Sequence, residues 1–287
     1  MRYTSVDIES LKKYGNAEQI VKLVKEAGFT AYDASMFTNG VLDSVLYAED
    51  WAEKAKAFRA YADRLGIVCN QTHAPFPSAK KGDEAYNEWI FPRIVRSIEV
   101  GSILGAKICV VHPCNDWTAE ENAVFYKKLE PYARKAGVKI ALENMWNCVN
   151  WGTPEFCATP AACSHHDDFK KHLELLPKDV FVACLDIGHA EMRGLDTSAV
   201  KMIETLGERL QAIHLHDVDL QHDNHQIPFT QGVDFEAVVQ AFKRVGYQGD
   251  ITLETSYAPI HAPVELQEAL ARYLAAIATY FKGRLEN

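Results

Sequence analysis

The chain has 287 residues, 48% hydrophobic and 24% charged, a balance that suits a folded globular protein with a sizeable core. Lys and Arg number 30 against 39 Asp and Glu, and the formal charge of -9 disfavours loose binding to nucleic acid or an anionic membrane and favours a small-molecule partner. No apolar run reaches the roughly 18 residues of a membrane span, and no long apolar segment follows the first basic residue, so a cytoplasmic protein without a signal peptide is expected.

In chain order, short β-branched runs alternate with amphipathic stretches. The strand candidates are SVDI (5–8), TAYDAS (30–35), IVCNQTH (67–73), AKICVVH (106–112), VKIALEN (138–144), VFVACLD (180–186), LQAIHLHD (210–217) and DITLETS (250–256). Helical patterns fall at 17–27, 48–65, 83–104, 119–136, 197–206, 235–245 and 263–281. Such alternation calls for parallel strands joined by helical crossovers, and eight strands in this length predict a closed (β/α)8 TIM barrel, one domain over 1–287. Glycine follows the helical pattern in KEAGF, DRLGI, ILGAK, RKAGV and RVGYQG, where a left-handed C-cap is wanted. The seven cysteines form no CxxC pair. Cys69, Cys109 and Cys184 fall in strand-like runs as small hydrophobes, and no disulfide is expected. Cys148, Cys157 and Cys163 with His165 and His166 match no zinc spacing and read as loop residues.

The strand ends carry the chemistry. The last six runs finish in His73, His112, Glu143, Asp186 with His189, His214 with His216, and Glu254. In a barrel these ends surround one mouth. A lone His or Glu there would be an ordinary hydrogen-bonded or solvated residue, but six successive strands doing the same is not an accident of single positions. Carboxylates gathered without a cation would raise one another's pKa, and a divalent ion removes that cost, so a metal site is predicted. His165, His166, His172, His222 and His261 have no such position and read as structural.

Four of these segments, ALEN (141–144), CLDIGH (184–189), HLHD (214–217) and TLET (252–255), resemble the xylose-isomerase-like barrels, which include sugar phosphate isomerases and epimerases, ketose 3-epimerases and endonuclease IV. The resemblance implies metal ligands at Glu143, Asp186, His214 and Glu254 and a substrate-side histidine at His189. His216 is the second choice within HLHD. Endonuclease IV is similar at His73, His112, His189, Asp223 and His225 as well, where those residues complete a three-zinc cluster. The acidic balance and the absence of clustered Arg and Lys in the loops argue against DNA. Trp117, Trp146 and Trp151 in the mouth loops suit stacking on a sugar face, and Trp146 is the substrate-binding candidate.

The resemblance implies a sugar or sugar-phosphate isomerase or epimerase that uses one divalent ion (Mn, Zn, Co or Mg), with up to three ions allowed by the extra histidines. Proton transfer through a cis-enediolate would use Glu143 and Glu254, expected to face one another across the mouth, with His189 on a substrate oxygen. The ketose 3-epimerases carry a Glu six residues after the first metal Glu and an Arg six after the metal His. Here Val149 and Leu220 stand in those places. Two alternatives remain, a multi-zinc phosphodiester hydrolase and a metal-assisted lyase of oxidised glycosides. A homo-oligomer is compatible with each.

Overall fold

A computed structural model describes residues 2–286. Its strands are β1 (Thr4–Val6), β2 (Ala31–Ser35), β3 (Val68–His73), β4 (Ile108–Val110), β5 (Lys139–Glu143), β6 (Asn147–Val149), β7 (Cys157–Thr159), β8 (Phe181–Asp186), β9 (Leu210–His214) and β10 (Ile251–Leu253). Six of them pair in parallel in the order β2-β3-β4-β5-β8-β9, and β1 pairs in parallel with β10. Single parallel bridges, Asp7 to Asp33 and Leu215 to Leu253, join the two groups into a ring. Backbone bonds from Thr30 N to Thr4 O (3.0 Å) and from Leu215 N to Thr252 O (2.9 Å) run across the same seams. The ring is the (β/α)8 TIM barrel that the alternation predicts.

Eight helices cover it: Ala17–Ala27, Trp51–Leu65, Glu84–Leu104, Ala119–Ala136, His166–Glu174, Ala199–Leu206, Phe235–Val245 and Gln267–Glu286. The five glycines read as helix stops are left-handed C-caps, with φ from 65° to 108°. Reciprocal capping boxes start two helices, Asn16 with Gln19 and Thr118 with Glu121. His166–Glu174 is absent from the sequence reading for a physical reason. It is short, nine residues, and buries a single i, i+3, i+4 set, Phe169, His172 and Leu173, one of which is a histidine and not an apolar residue. The pattern at 48–65 is the single helix Trp51–Leu65, with a separate short helix, Ser44–Tyr47, before it, and the start of 263–281 is a 3-10 turn.

One element interrupts the alternation. β6 and β7 form an antiparallel hairpin between β5 and His166–Glu174. Cys148 and Cys157 therefore lie in hairpin strands, not in a loop. All seven cysteines are free, and Cys69, Cys109 and Cys184 are buried in barrel strands as expected. No helix among the described residues is long and apolar enough to cross a membrane.

Candidate metal centre

Side-chain alternation along the strands decides what the mouth contains. Val110, Ala141, Val182, Cys184 and Ala212 meet in a small apolar cluster of their own. Their neighbours Cys109, Ile140, Leu142, Ala183, Leu185 and Ile213 belong instead to the large core shared with the helices. Two positions beyond the small cluster, on the same face, come His112, Glu143, Asp186 and His214. Glu143, Asp186 and His214 are the last residues of β5, β8 and β9 and are at most 1% exposed. His73 closes β3, and Glu254 follows β10.

These ends meet in three groups. Candidate ligand atoms of Glu143, Asp186, His214 and Glu254 all lie within 4.8 Å of one another. Within this central group His214 Nδ1 is 3.0 Å from Glu143 Oε1 and 3.1 Å from Glu254 Oε2. On one side, His112 Nε2 and His73 Nε2 lie 3.1 and 3.4 Å from Glu143 Oε2. On the other, Asp223 is 3.1 Å from both His189 Nε2 and His225 Nε2, with His216 in the same group. Glu143 belongs to both the central group and the first flanking one.

Backbone carbonyls hold the Nδ1 of four imidazoles in the site, that of His216 on Asp217 O at 3.2 Å. Nδ1 of His73, His189 and His225 donates to the carbonyls of Ala74 (2.7 Å), Asn144 (2.8 Å) and Glu254 (2.8 Å). A carbonyl can only accept, so Nδ1 carries a proton and Nε2 is the nitrogen turned to the cluster, the one a metal would take on losing its own proton. Asn144 also ties two ligand-bearing strands together. Its Nδ2 donates to Asp186 O (2.9 Å), and its Oδ1 accepts from Asp186 N (2.8 Å).

The charges are mutually compensated but buried. Burial opposes ionisation of Glu143, yet His214 and His112 outweigh it and hold its carboxyl well below the usual range. Burial likewise opposes charge on His189, and Asp186 and Asp223 overcome it to raise the imidazole to about 10. Asp7, after β1, goes the other way: burial, then Asp33 and Glu254, push it up to about 7. Oxygen and imidazole nitrogen donors converging among buried residues fit a divalent ion.

HLHD left two histidines open, and the geometry separates them. His214 stands in the central group. His216 Nε2 is 2.9 Å from both Asp186 oxygens, and its ring stacks on His225 with centroids 4.1 Å apart. It joins Asp186 of the central group to the flanking group of His189, Asp223 and His225. Asp217 accepts from the backbone N–H groups of Val218, Thr230, Gln231 and Val233, which clamps the loop presenting Asp223 and His225.

The expected opposition of Glu143 and Glu254 across the mouth is not what the structure has. β5 and β10 are separated by β8 and β9 alone, and both carboxylates converge on His214 Nδ1. Both line a cavity of about 660 Å³ together with Trp146, His189 and Asp223. Trp151 stacks on Trp146 at 6.1 Å and 17°, while Phe76 stacks on His112 at 5.1 Å. Trp117 is corrected: it packs against Phe125 and lines a groove between outer helices. Val149 is exposed on β6, away from any ligand group. His165 and His166 form a surface group with Asp167 and without the cysteines. His172 bonds Asn122, His222 bonds Asp219, and His261 bonds the carbonyl of Tyr257. Sequence reasoning missed Asp7, Asp33 and Asn144. Asp7 ends the first run by the same rule and could have been found.

Known proteins agree with this architecture. The sequence profile of the family described as xylose isomerase-like TIM barrel matches residues 21–277. Uncharacterized protein MJ1311 of Methanocaldococcus jannaschii is 27% identical over 218 residues, covering 71% of this chain and 70% of that protein. Among solved structures, a D-tagatose 3-epimerase-like protein superposes with a TM-score of 0.71 at 20% identity, over 98% of this chain and 99% of the other. The IolI protein, solved with a zinc atom bound, gives 0.70 at 17% identity over 96% of each chain. With a profile match over most of its length and the parallel barrel that carries it, the chain belongs to the xylose isomerase-like TIM barrel family.

Proposed function

We propose that the chain is a divalent-metal-dependent sugar isomerase or epimerase that moves a proton next to a carbonyl. The observation that carries this reading is the buried central group of Glu143, Asp186, His214 and Glu254, open to a cavity with an aromatic wall. These four residues would hold the ion. A divalent ion there supplies Lewis-acid polarisation of a substrate carbonyl and its neighbouring hydroxyl. The other tasks fall to side chains. Glu254, with its side chain 15% exposed against 1% for Glu143, presents the more accessible carboxylate for taking the carbon-bound proton. Glu143 is the candidate for its return. His189 reaches the cavity with its ring fixed by Asn144 O and would hydrogen-bond a substrate oxygen. Trp146 offers a flat apolar face to a sugar ring. Lys12 is the one Lys or Arg described on the cavity wall, and Glu9 already pairs with it at 2.9 Å. The cavity offers no Arg and no unpaired Lys for a phosphate, which favours an unphosphorylated sugar. The names of the D-tagatose 3-epimerase-like and IolI structures support the sugar and the metal.

A second reading rests on a specific observation, the two flanking histidine groups. A multi-zinc phosphodiester hydrolase would fill all three groups with ions and would need to grip a polyanion. The acidic cavity wall weighs against it.

The test is turnover of candidate ketoses and aldoses in heavy water, followed by NMR. The expected product is an isomer or epimer carrying solvent deuterium at the carbon next to the carbonyl. Glu143→Gln and Glu254→Gln keep the side-chain shape, lose the base, and should each slow turnover by about 10²–10⁴-fold. Product without label, or near-normal turnover by both variants, refutes the proton transfer.

A further inference from the structure

We infer that Asp33, braced by Gln71, is the positioning residue that selects which nitrogen of His214 faces the metal. This rests on reading the central group as a metal centre.

His214 differs from its neighbours. His73, His189 and His225 each anchor Nδ1 on a backbone carbonyl and turn Nε2 inward. His214 turns Nδ1 inward, against Glu143 and Glu254, and its Nε2 points away from them toward Asp33. No carbonyl anchors that nitrogen. His214 Nε2 is buried without a hydrogen-bond partner, and so is Asp33 Oδ1. The nearest acceptor recorded for Nε2 is Asp33 Oδ2, at 3.7 Å, an ion-pair distance a few tenths of an ångström beyond a hydrogen bond.

Asp33 is itself held in place. It lies within β2, is 1% exposed, and its Oδ2 accepts from Gln71 Nε2 at 2.8 Å. Gln71 is opposite Asp33 in the β2/β3 register, where the pairing shifts by one residue just before them. Tyr32 and Ala34 pack in the outer core, so Asp33 between them faces the barrel interior, and the shift sets Gln71 beside it.

The chemistry follows from the donor inventory. An ionised carboxylate only accepts, so Asp33 can satisfy His214 Nε2 only when that nitrogen carries a proton. The Nδ1 lone pair is then free for an ion. A carboxylate on the distal nitrogen also raises the basicity of the ligating one, and losing such a partner costs about 10–100-fold in metal affinity. Asp33 touches neither substrate nor ion in this scheme and acts through His214.

The experiment is site-resolved NMR of the full-length protein, stripped of metal, labelled with 15N-histidine and titrated with cadmium-113, with the His214 resonance assigned by its loss in His214→Gln. The expected result is cadmium coupling at Nδ1 and a proton on Nε2 of His214, with the opposite pattern at His73, His189 or His225 wherever these bind. Asp33→Ala should lower cadmium affinity at His214 by about 10–100-fold, and Asp33→Asn, which keeps an acceptor oxygen, by less. Should Asp33→Ala not fold, Asp33→Asn carries the affinity measurement, with about a tenfold loss expected. Coupling at Nε2, or affinity unchanged in the folded Asp33 variants, overturns the role of Asp33 and leaves the metal centre standing. No cadmium at His214 in the unaltered protein overturns both.

Discussion

His216 Nε2 is equidistant, at 2.9 Å, from the two carboxylate oxygens of Asp186. A histidine that bridges both oxygens pins the plane of the carboxylate. Asp186 is thereby fixed among the central candidate ligands, and its Oδ1 also accepts from the backbone N–H of His189 at 2.7 Å.

That fixed carboxylate should be needed for metal and dispensable for folding. Asp186→Ala and His214→Ala are expected to reduce bound metal at the central group by at least about 100-fold, more than a supporting contact would. The Asp186 change also leaves His216 Nε2 without its partner, at a cost of about 1–3 kcal/mol. Elemental analysis of protein equilibrated with limiting metal, alongside thermal unfolding, reads both effects. Equal occupancy in wild type and the two variants removes these residues from the ligand set.

Gly188 makes room for the same histidine. A Cβ at this position would stand 2.1 Å from His216 Cε1 and 2.6 Å from Nδ1. The ring cannot retreat freely, since His225 stacks on it. Gly188→Ala is therefore expected to destabilise the fold by about 1–3 kcal/mol, the usual cost of overpacking. It should also weaken metal binding by displacing Asp186. Urea denaturation and a metal titration check the two parts, and an Ala variant matching wild type in both shows that the ring has somewhere to go.

The cavity wall predicts what the protein should leave alone. With Lys12 paired to Glu9 and a formal charge of -9, an abasic DNA duplex is expected to bind no more tightly than about micromolar at physiological salt. Fluorescence anisotropy over a range of salt concentrations measures it. Nanomolar binding that weakens steeply with salt would favour the hydrolase reading over the sugar one.

The sequence was most informative where one rule applied at many places. Reading the last residue of each apolar run found His73, His112, Glu143, Asp186, His214 and Glu254, because parallel strands must end at a common rim and polar residues are costly anywhere deeper. The same rule passes over Asp33, two residues before the end of β2. Its inward face follows from alternation, since Tyr32 and Ala34 pack in the outer core, but its place opposite Gln71 depends on a shift in register between β2 and β3 that a one-strand pattern does not contain. The choice between His214 and His216 also needed three dimensions. Both side chains alternate to one face, and only their contacts, Glu143 and Glu254 for His214 and Asp186 for His216, tell them apart. Trp117 was misplaced because its distance from a strand end says nothing about which way the following loop turns. It packs outward on Phe125.

The hairpin β6/β7 bears on how such a protein could change. Trp146 leads into it, Trp151 lies in its turn and Phe156 sits at its return, and Asn115 fastens its base through Trp146 O at 2.9 Å. Its strands pair with each other and with no barrel strand. Lengthening, shortening or exchanging it removes no rung from the β5/β8 ladder that holds Glu143 against Cys184. The surface that would select a sugar is thus modular with respect to the residues that would transform it, and a lineage could retune its diet by grafting one ribbon while inheriting the reaction intact.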